Sequence, residues 1–213
     1  YRSSFSKKLL LCLSFAFLVN APYLLYTYSL THKIFYWGNS GGISLYWMST
    51  PHEGEFGDWH NEDFTADCGN EANPELLPCS TPIFQKVHGR DMEYVNQFVG
   101  VAKDDAYKKL AIANIKSHPI KFLKNCVSNV SRMFFNFPFT YTYQKDTSVA
   151  RFPMGSIIFV LMLLSIIPTI LNWRKLPLEL RCLLLFLLFY MAASTIVSAY
   201  SRQLSVVIPV FIL

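Results

Sequence analysis

Charge is what this chain has least of: Asp, Glu, Lys and Arg make up 15% of its 213 residues, against 52% hydrophobic. Residues 9–32, 152–173 and 182–201 hold no charged residue, and basic residues flank each stretch. Each supplies the roughly 20 apolar residues that an α-helix needs to cross a bilayer. A chain so composed belongs in a membrane, and its function is to be sought at a membrane surface.

Other absences narrow the chemistry. The five cysteines form neither the paired spacing of a zinc site nor a redox Cys-x-x-Cys. There is no Ser-His-Asp nucleophile arrangement, no glycine-rich phosphate loop and no nucleic-acid motif. The net charge of +5 is accounted for by basic flanks of the spans and a basic interfacial helix. Between residues 34 and 85 there is no Lys or Arg, whereas Glu53, Glu55, Asp58, Glu62, Asp63, Asp67, Glu71 and Glu75 all fall there.

The basic residues that are present set an orientation. Arg2, Lys7 and Lys8 precede the first span, and Arg174, Lys175 and Arg181 lie between the second and third. Cytoplasmic flanks are enriched in Lys and Arg, so both regions are expected inside. Residues 33–151 are then expected outside, and the third span returns Arg202 to the outer face. The run 204–213 is too short to span and reads as the start of a fourth helix. With Tyr1 in place of an initiator methionine, the chain reads as truncated at both ends.

The organisation expected is therefore an all-α polytopic membrane protein in three parts: residues 1–32, an external loop at 33–151, and C-terminal helices at 152–213. Within the loop, 33–100 reads as acidic and irregular, broken by Gly38, Gly41, Gly42, Gly54, Gly57 and Gly69 and by Pro51, Pro74, Pro78 and Pro82. Cys68 and Cys79 stand there, suited either to a disulfide or to two free thiols. Residues 101–136 read as basic helices broken at Pro119, which fits the first turn of the second. Asp104 and Asp105 suit the N-terminal end of the first. In the second, Leu123, Val127, Val130 and Phe134 recur at helical spacing. That face is expected either in the lipid interface, with Lys121 and Lys124 among headgroups, or against the bundle.

Three groups of residues are candidates for a site. Arg202, at headgroup level, has the planar fork that suits phosphate, or else is an interfacial anchor. Asn39, Gly41 and Gly42 can form a tight turn that brings backbone close to a ligand, or a plain turn after a span. His52, Glu53, Glu55, Asp58 and His60 carry enough nitrogen and oxygen for a divalent metal, though loose acidic loops are the commoner use of such a run. No cofactor is firmly indicated.

The order of features resembles a known family. A helix reaching Ala21-Pro22-Tyr23 is followed by an aromatic stretch and then by Asn39-Ser40-Gly41-Gly42-Ile43-Ser44-Leu45-Tyr46-Trp47. After these come the alanine-to-His118-Pro119 run at 111–119 and the pattern Arg202 to Pro209. Together they resemble the C-terminal half of polytopic glycosyltransferases of the C-type (GT-C) fold, similar to protein O-mannosyltransferases and lipid A aminoarabinose transferases. The chain departs from that pattern at Tyr23, at Tyr26-Thr27 and at Gln203, where an aromatic is usual.

The resemblance implies transfer of a sugar from a polyprenyl-phosphate donor to a lipid, glycan or protein acceptor on the outer face of a bacterial inner membrane. It implies Arg202 at the donor phosphate, and a catalytic carboxylate in an N-terminal half not contained in this sequence, so that these residues alone are expected to be inactive. The alternative is a non-enzymatic transport or assembly subunit whose outer loop binds a partner.

Overall fold

The computed structural model describes residues 2–36, 38–60, 80–140, 146–197 and 199–212. The regular elements among them are all helices: α1 (Arg2–Thr31), α2 (Gly41–Met48), α3 (Ser80–Val95), α4 (Gly100–Ser117), α5 (Pro119–Phe135), α6 (Asp146–Leu171), α7 (Leu178–Val197) and α8 (Ser201–Ile212). The chain is an all-α polytopic membrane protein. Leu10–Thr31, Phe152–Leu171 and Leu178–Val197 are each long and apolar enough to cross a bilayer, and little of any of them is buried inside the protein. Leu11 and Leu171, for example, are 71% and 77% exposed. Apolar surface on that scale is stable only against acyl chains. Cys12 and Cys182 are exposed on these spans, as lipid-facing thiols would be.

The chain divides into two compact units, Tyr1–Asn39 and Ser40–Leu213. The first is α1, which continues through Pro22 to Thr31. Beyond it the Tyr36 hydroxyl donates to Asn39 Oδ1.

The second unit has two cores. In the first, Ile43, Tyr46 and Trp47 of α2 pack with Met92 and Val95 of α3 and with Ala106, Tyr107 and Ala111 of α4. In the second, Met133 and Phe134 near the end of α5 meet Ala199 and Leu204, with Ile158 and Phe159 of α6 and Met191 of α7 around them. Helix α5 joins the two. Pro119 stands in its first turn, where a missing N–H breaks no hydrogen bond, and Asn136 caps its other end in the left-handed conformation that Asn tolerates.

Four expectations change. Residues 33–100 are not irregular throughout, because α2 and the 16-residue α3 lie within them. Helix α2 carries no period that a wheel would reveal, since its apolar residues are buried on several sides, and Gly41-Gly42 reads locally as a turn. Helix α4 begins at Gly100, so Asp104 is past the first turn and is buried instead of capping. The third span starts at Leu178 and ends at Val197. Arg202 therefore belongs to the first turn of α8 and not to the end of α7.

Helix α5 divides the expected apolar face: Val130 and Phe134 pack in a core, whereas its first half leaves apolar residues exposed. Ile120, Leu123 and Val127 are 71%, 63% and 69% exposed, while Asn125, Asn129 and Arg132 on the opposite side are buried. The polar stripe, spaced i, i+4, i+7, is the packed one.

Candidate functional site

The loop 49–60 brings a set of polar side chains into the interior of the second unit. Gly54 and Gly57 adopt φ of +85° and +74°, and a Cβ at Gly57 would press on Asn125 and Met48. These turns let Glu55 and Asp58 enter the core, where each is 4% exposed. A buried carboxylate requires partners. Glu55 accepts from the Thr50 hydroxyl and lies 2.8 Å from His88 Nε2. His88 Nδ1 is in turn 2.7 Å from the Tyr46 hydroxyl, which donates to Asp91 Oδ2 at 2.8 Å. Burial, followed by the charge of Asp91, pushes the Tyr46 phenol far above its ordinary range, so it acts as a neutral donor.

Asp58 anchors the other end of the loop. It accepts from the Thr140 backbone N–H at 2.8 Å and from the Thr140 hydroxyl, with His60 Nε2 3.5 Å away. Burial lowers the His60 pKa from its ordinary value, and Asp58 opposes that shift. Beside these residues lies Arg132, 0% exposed. Its Nη1 donates to the carbonyls of Phe56 at 3.0 Å and Pro138 at 2.9 Å, and its Nη2 donates to Asn129 Oδ1. Its Nε is buried without a hydrogen-bond partner among the described residues. Asn129 continues the network to Thr195 O of α7 at 2.8 Å, and Asn125 donates to the carbonyls of Met48 and Thr50. Arg132 thus ties the loop and the α5–α6 connection to one helix.

An open cleft of about 710 Å³ lies in the second unit, lined by Ser40, Ile43 and Ser44 at the start of α2, by Trp59, and by Tyr200, Ser201, Arg202 and Gln203 at the start of α8. Among the described residues that line it, Arg202 is the one cation and there is no carboxylate. The guanidinium is exposed and sits 5.7 Å from the centroid of the Tyr200 ring, a cation–π contact. Phe139 stacks on Tyr200 with centroids 6.2 Å apart, and the Trp59 backbone N–H donates to the Tyr200 hydroxyl at 3.1 Å. Burial raises the Tyr200 pKa, so this hydroxyl keeps its proton. Gln203 reaches back to accept from the Tyr200 N–H, capping α8; that is the structural use of the residue found where an aromatic was expected.

The other sequence candidates are dispersed. Gly42 faces α4: its N–H donates to Asp104 Oδ1 at 2.5 Å, and any Cβ there would collide with the Asp104 carbonyl. Asp104, also paired with Lys108 at 2.6 Å, therefore supplies the acceptor at the start of α2. Gly41 approaches only Lys108, and Asn39 belongs to the first unit. Of the metal candidates, Glu55, Asp58 and His60 are taken up as described, His52 stacks edge-on to His88 at 5.2 Å, and Glu53 is exposed. Among the described residues no three His, Cys, Asp or Glu side chains are grouped to hold a metal ion. Cys68 and Cys79 lie outside the described residues.

Sequence reasoning passed over His88, Asp91, Arg132, Trp59 and Tyr200. The i, i+3 pair on α3 and the polar stripe of α5 were available signals for the first three. Nothing local marks Trp59 or Tyr200, which meet only through the fold. No family model, no curated protein and no solved structure matches this chain.

Proposed function

We propose that this chain is part of an integral membrane glycosyltransferase of the C-type fold. It moves a sugar from a polyprenyl-phosphate donor to a lipid, glycan or protein acceptor on the outer face of a bacterial inner membrane. The observation that carries this reading is the cleft whose single cation, Arg202, has no ion-pair partner among the described residues. A cation in the first turn of a helix opposes the helix dipole and costs roughly 0.3–1 kcal/mol. The first turn of α8 nonetheless holds Arg202 and no acid. An anion in the cleft gains from both positive fields, which favours a phosphate as its natural occupant.

In the transfer, the acceptor hydroxyl attacks the anomeric carbon, its proton passes to a base, and the lipid phosphate departs with the bonding electrons. The part assigned to this chain is the last of these. Charge grows on the phosphate oxygens as the bond to carbon breaks, and a fixed guanidinium stabilises that charge more than it stabilises the bound donor. The sequence resemblance assigns the base to a segment outside this chain.

The test is Arg202→Ala in the full-length protein, reconstituted with a polyprenyl-phosphate sugar and an acceptor. Transfer is expected to fall about 100-fold, with folding intact because the side chain is exposed. Unchanged turnover, or no binding of any polyprenyl phosphate, overturns the reading and leaves transport or assembly in its place.

A further inference from the structure

We propose that the cleft takes a phosphate-linked sugar as one unit, with the Tyr200 hydroxyl and the Arg202 guanidinium on the phosphate and the Trp59 indole against the sugar ring. This rests on the reading above and deepens it, because it assigns recognition of the sugar itself to this chain.

The loop and α8 build the two halves of this arrangement independently. Trp59 stands between two inward-facing residues, Asp58 and His60, both held in the buried network. Trp59 itself is 43% exposed and lines the cleft. An indole so placed, on a loop tied down on both sides, offers a flat, pre-ordered apolar face beside polar groups. The C–H face of a pyranose or furanose has matching character, apolar on one side with hydroxyls at the edge. Ser40, Ser44 and Ser201 stand along the same cleft as hydroxyl partners for such an edge.

Tyr200 provides the link to the phosphate. Its oxygen accepts the Trp59 N–H in a solvent-exposed hydrogen bond, and its own proton has no acceptor among the described residues. Stacking by Phe139 on one contact and Arg202 on another fixes the ring. The phenol therefore presents an unclaimed O–H beside the unclaimed N–H groups of Arg202, a donor set that suits two oxygens of one phosphate. The hydrogen bond from the Trp59 backbone to Tyr200 holds this point of the loop beside the phosphate donors.

The experiment uses the full-length protein in detergent and two soluble probes, a short-chain prenyl phosphate and the same prenyl phosphate carrying a hexose. The wild type is expected to bind the glycosylated probe more tightly. Trp59→Ala is expected to weaken the glycosylated probe about 10-fold while leaving the bare phosphate within about 2-fold, an outcome that also reports an intact fold. Trp59→Phe, which keeps an aromatic face, is expected to recover most of the loss. Tyr200→Phe, which removes only the hydroxyl, is expected to weaken both probes by about 3- to 10-fold. Equal affinity for the two probes, or loss of both on Trp59→Ala with no rescue by Phe, overturns the sugar-stacking role and leaves the phosphate site standing. Failure of the wild type to bind either probe overturns the sugar-stacking role and the transferase reading together.

Discussion

Two arginines of this chain occupy opposite environments. Arg132 is fully buried, and its fork is spent on two carbonyls and an amide. Arg202 is exposed at a cleft, with its guanidinium against the face of a tyrosine. Surroundings, not residue type, decide whether a guanidinium is spent inside a fold or left facing a cleft. The first has most of its donors satisfied by the protein, while the second leaves its own facing the cleft.

Substitutions can break or sharpen that contrast. The largest effect is expected from Arg132→Ala. It would leave Asn129 and two carbonyls without their buried donor and Asp58 without a nearby positive charge, a loss of about 3–5 kcal/mol in unfolding measurements. Lys is not expected to restore it, because a compact ammonium lacks the guanidinium's planar fork of donors. If Arg132→Ala unfolds like the wild type, the contrast is lost.

Next comes Gly42→Ala. The added carbon meets the Asp104 backbone, so α2 must move off α4, at about 1–3 kcal/mol. Since α2 carries Ser40, Ile43 and Ser44 into the cleft, ligand affinity is expected to drop although no ligand donor has been removed. Stability unchanged with affinity lost would instead make Gly42 a ligand contact.

A smaller effect is expected from pH. Burial depresses the folded-state pKa of His60 below its unfolded value of 6.5. The folded state then resists a proton that the unfolded state accepts. Stability is full above about pH 6.5 and declines as pH falls from there toward the lowered folded value. Denaturation midpoints measured at pH 7.5 and 5.5 are expected to show this decline, and His60→Gln is expected to lessen it. An identical slope in the variant would remove His60 as its source.

The smallest change in stability belongs to Arg202→Ala, within about 0.5 kcal/mol of the wild type. Together with the loss of transfer expected above, it would separate the two arginines cleanly. A destabilisation similar to that of Arg132→Ala would instead make Arg202 structural.

Legibility from sequence followed the same division. The spans were readable because a bilayer demands an unbroken apolar run, a property of neighbouring residues alone. Pro119 announced the start of α5 for a similarly local reason. Glu55 and Asp58 misled: in a stretch without Lys or Arg they read as loose surface acids, yet they are buried against His88 and Thr140, 33 and 82 residues away. Helix α5 was legible in part: its apolar positions allowed either an interfacial or a packed face, but the burial of Asn125, Asn129 and Arg132 was not foreseen. Beside a membrane an exposed apolar face is tolerated, and the polar stripe was free to turn inward.

The sequence alone therefore determined that this chain is helical, that it crosses a membrane, and that its charge collects between the first and second spans. Those properties depend on the solvent each segment requires. Only the tertiary structure decided that Arg132 is locked while Arg202 is open, and that Trp59 and Tyr200 share one cleft. A side chain's chemistry is fixed by which distant groups consume its hydrogen bonds, and that pairing exists only once the chain has folded.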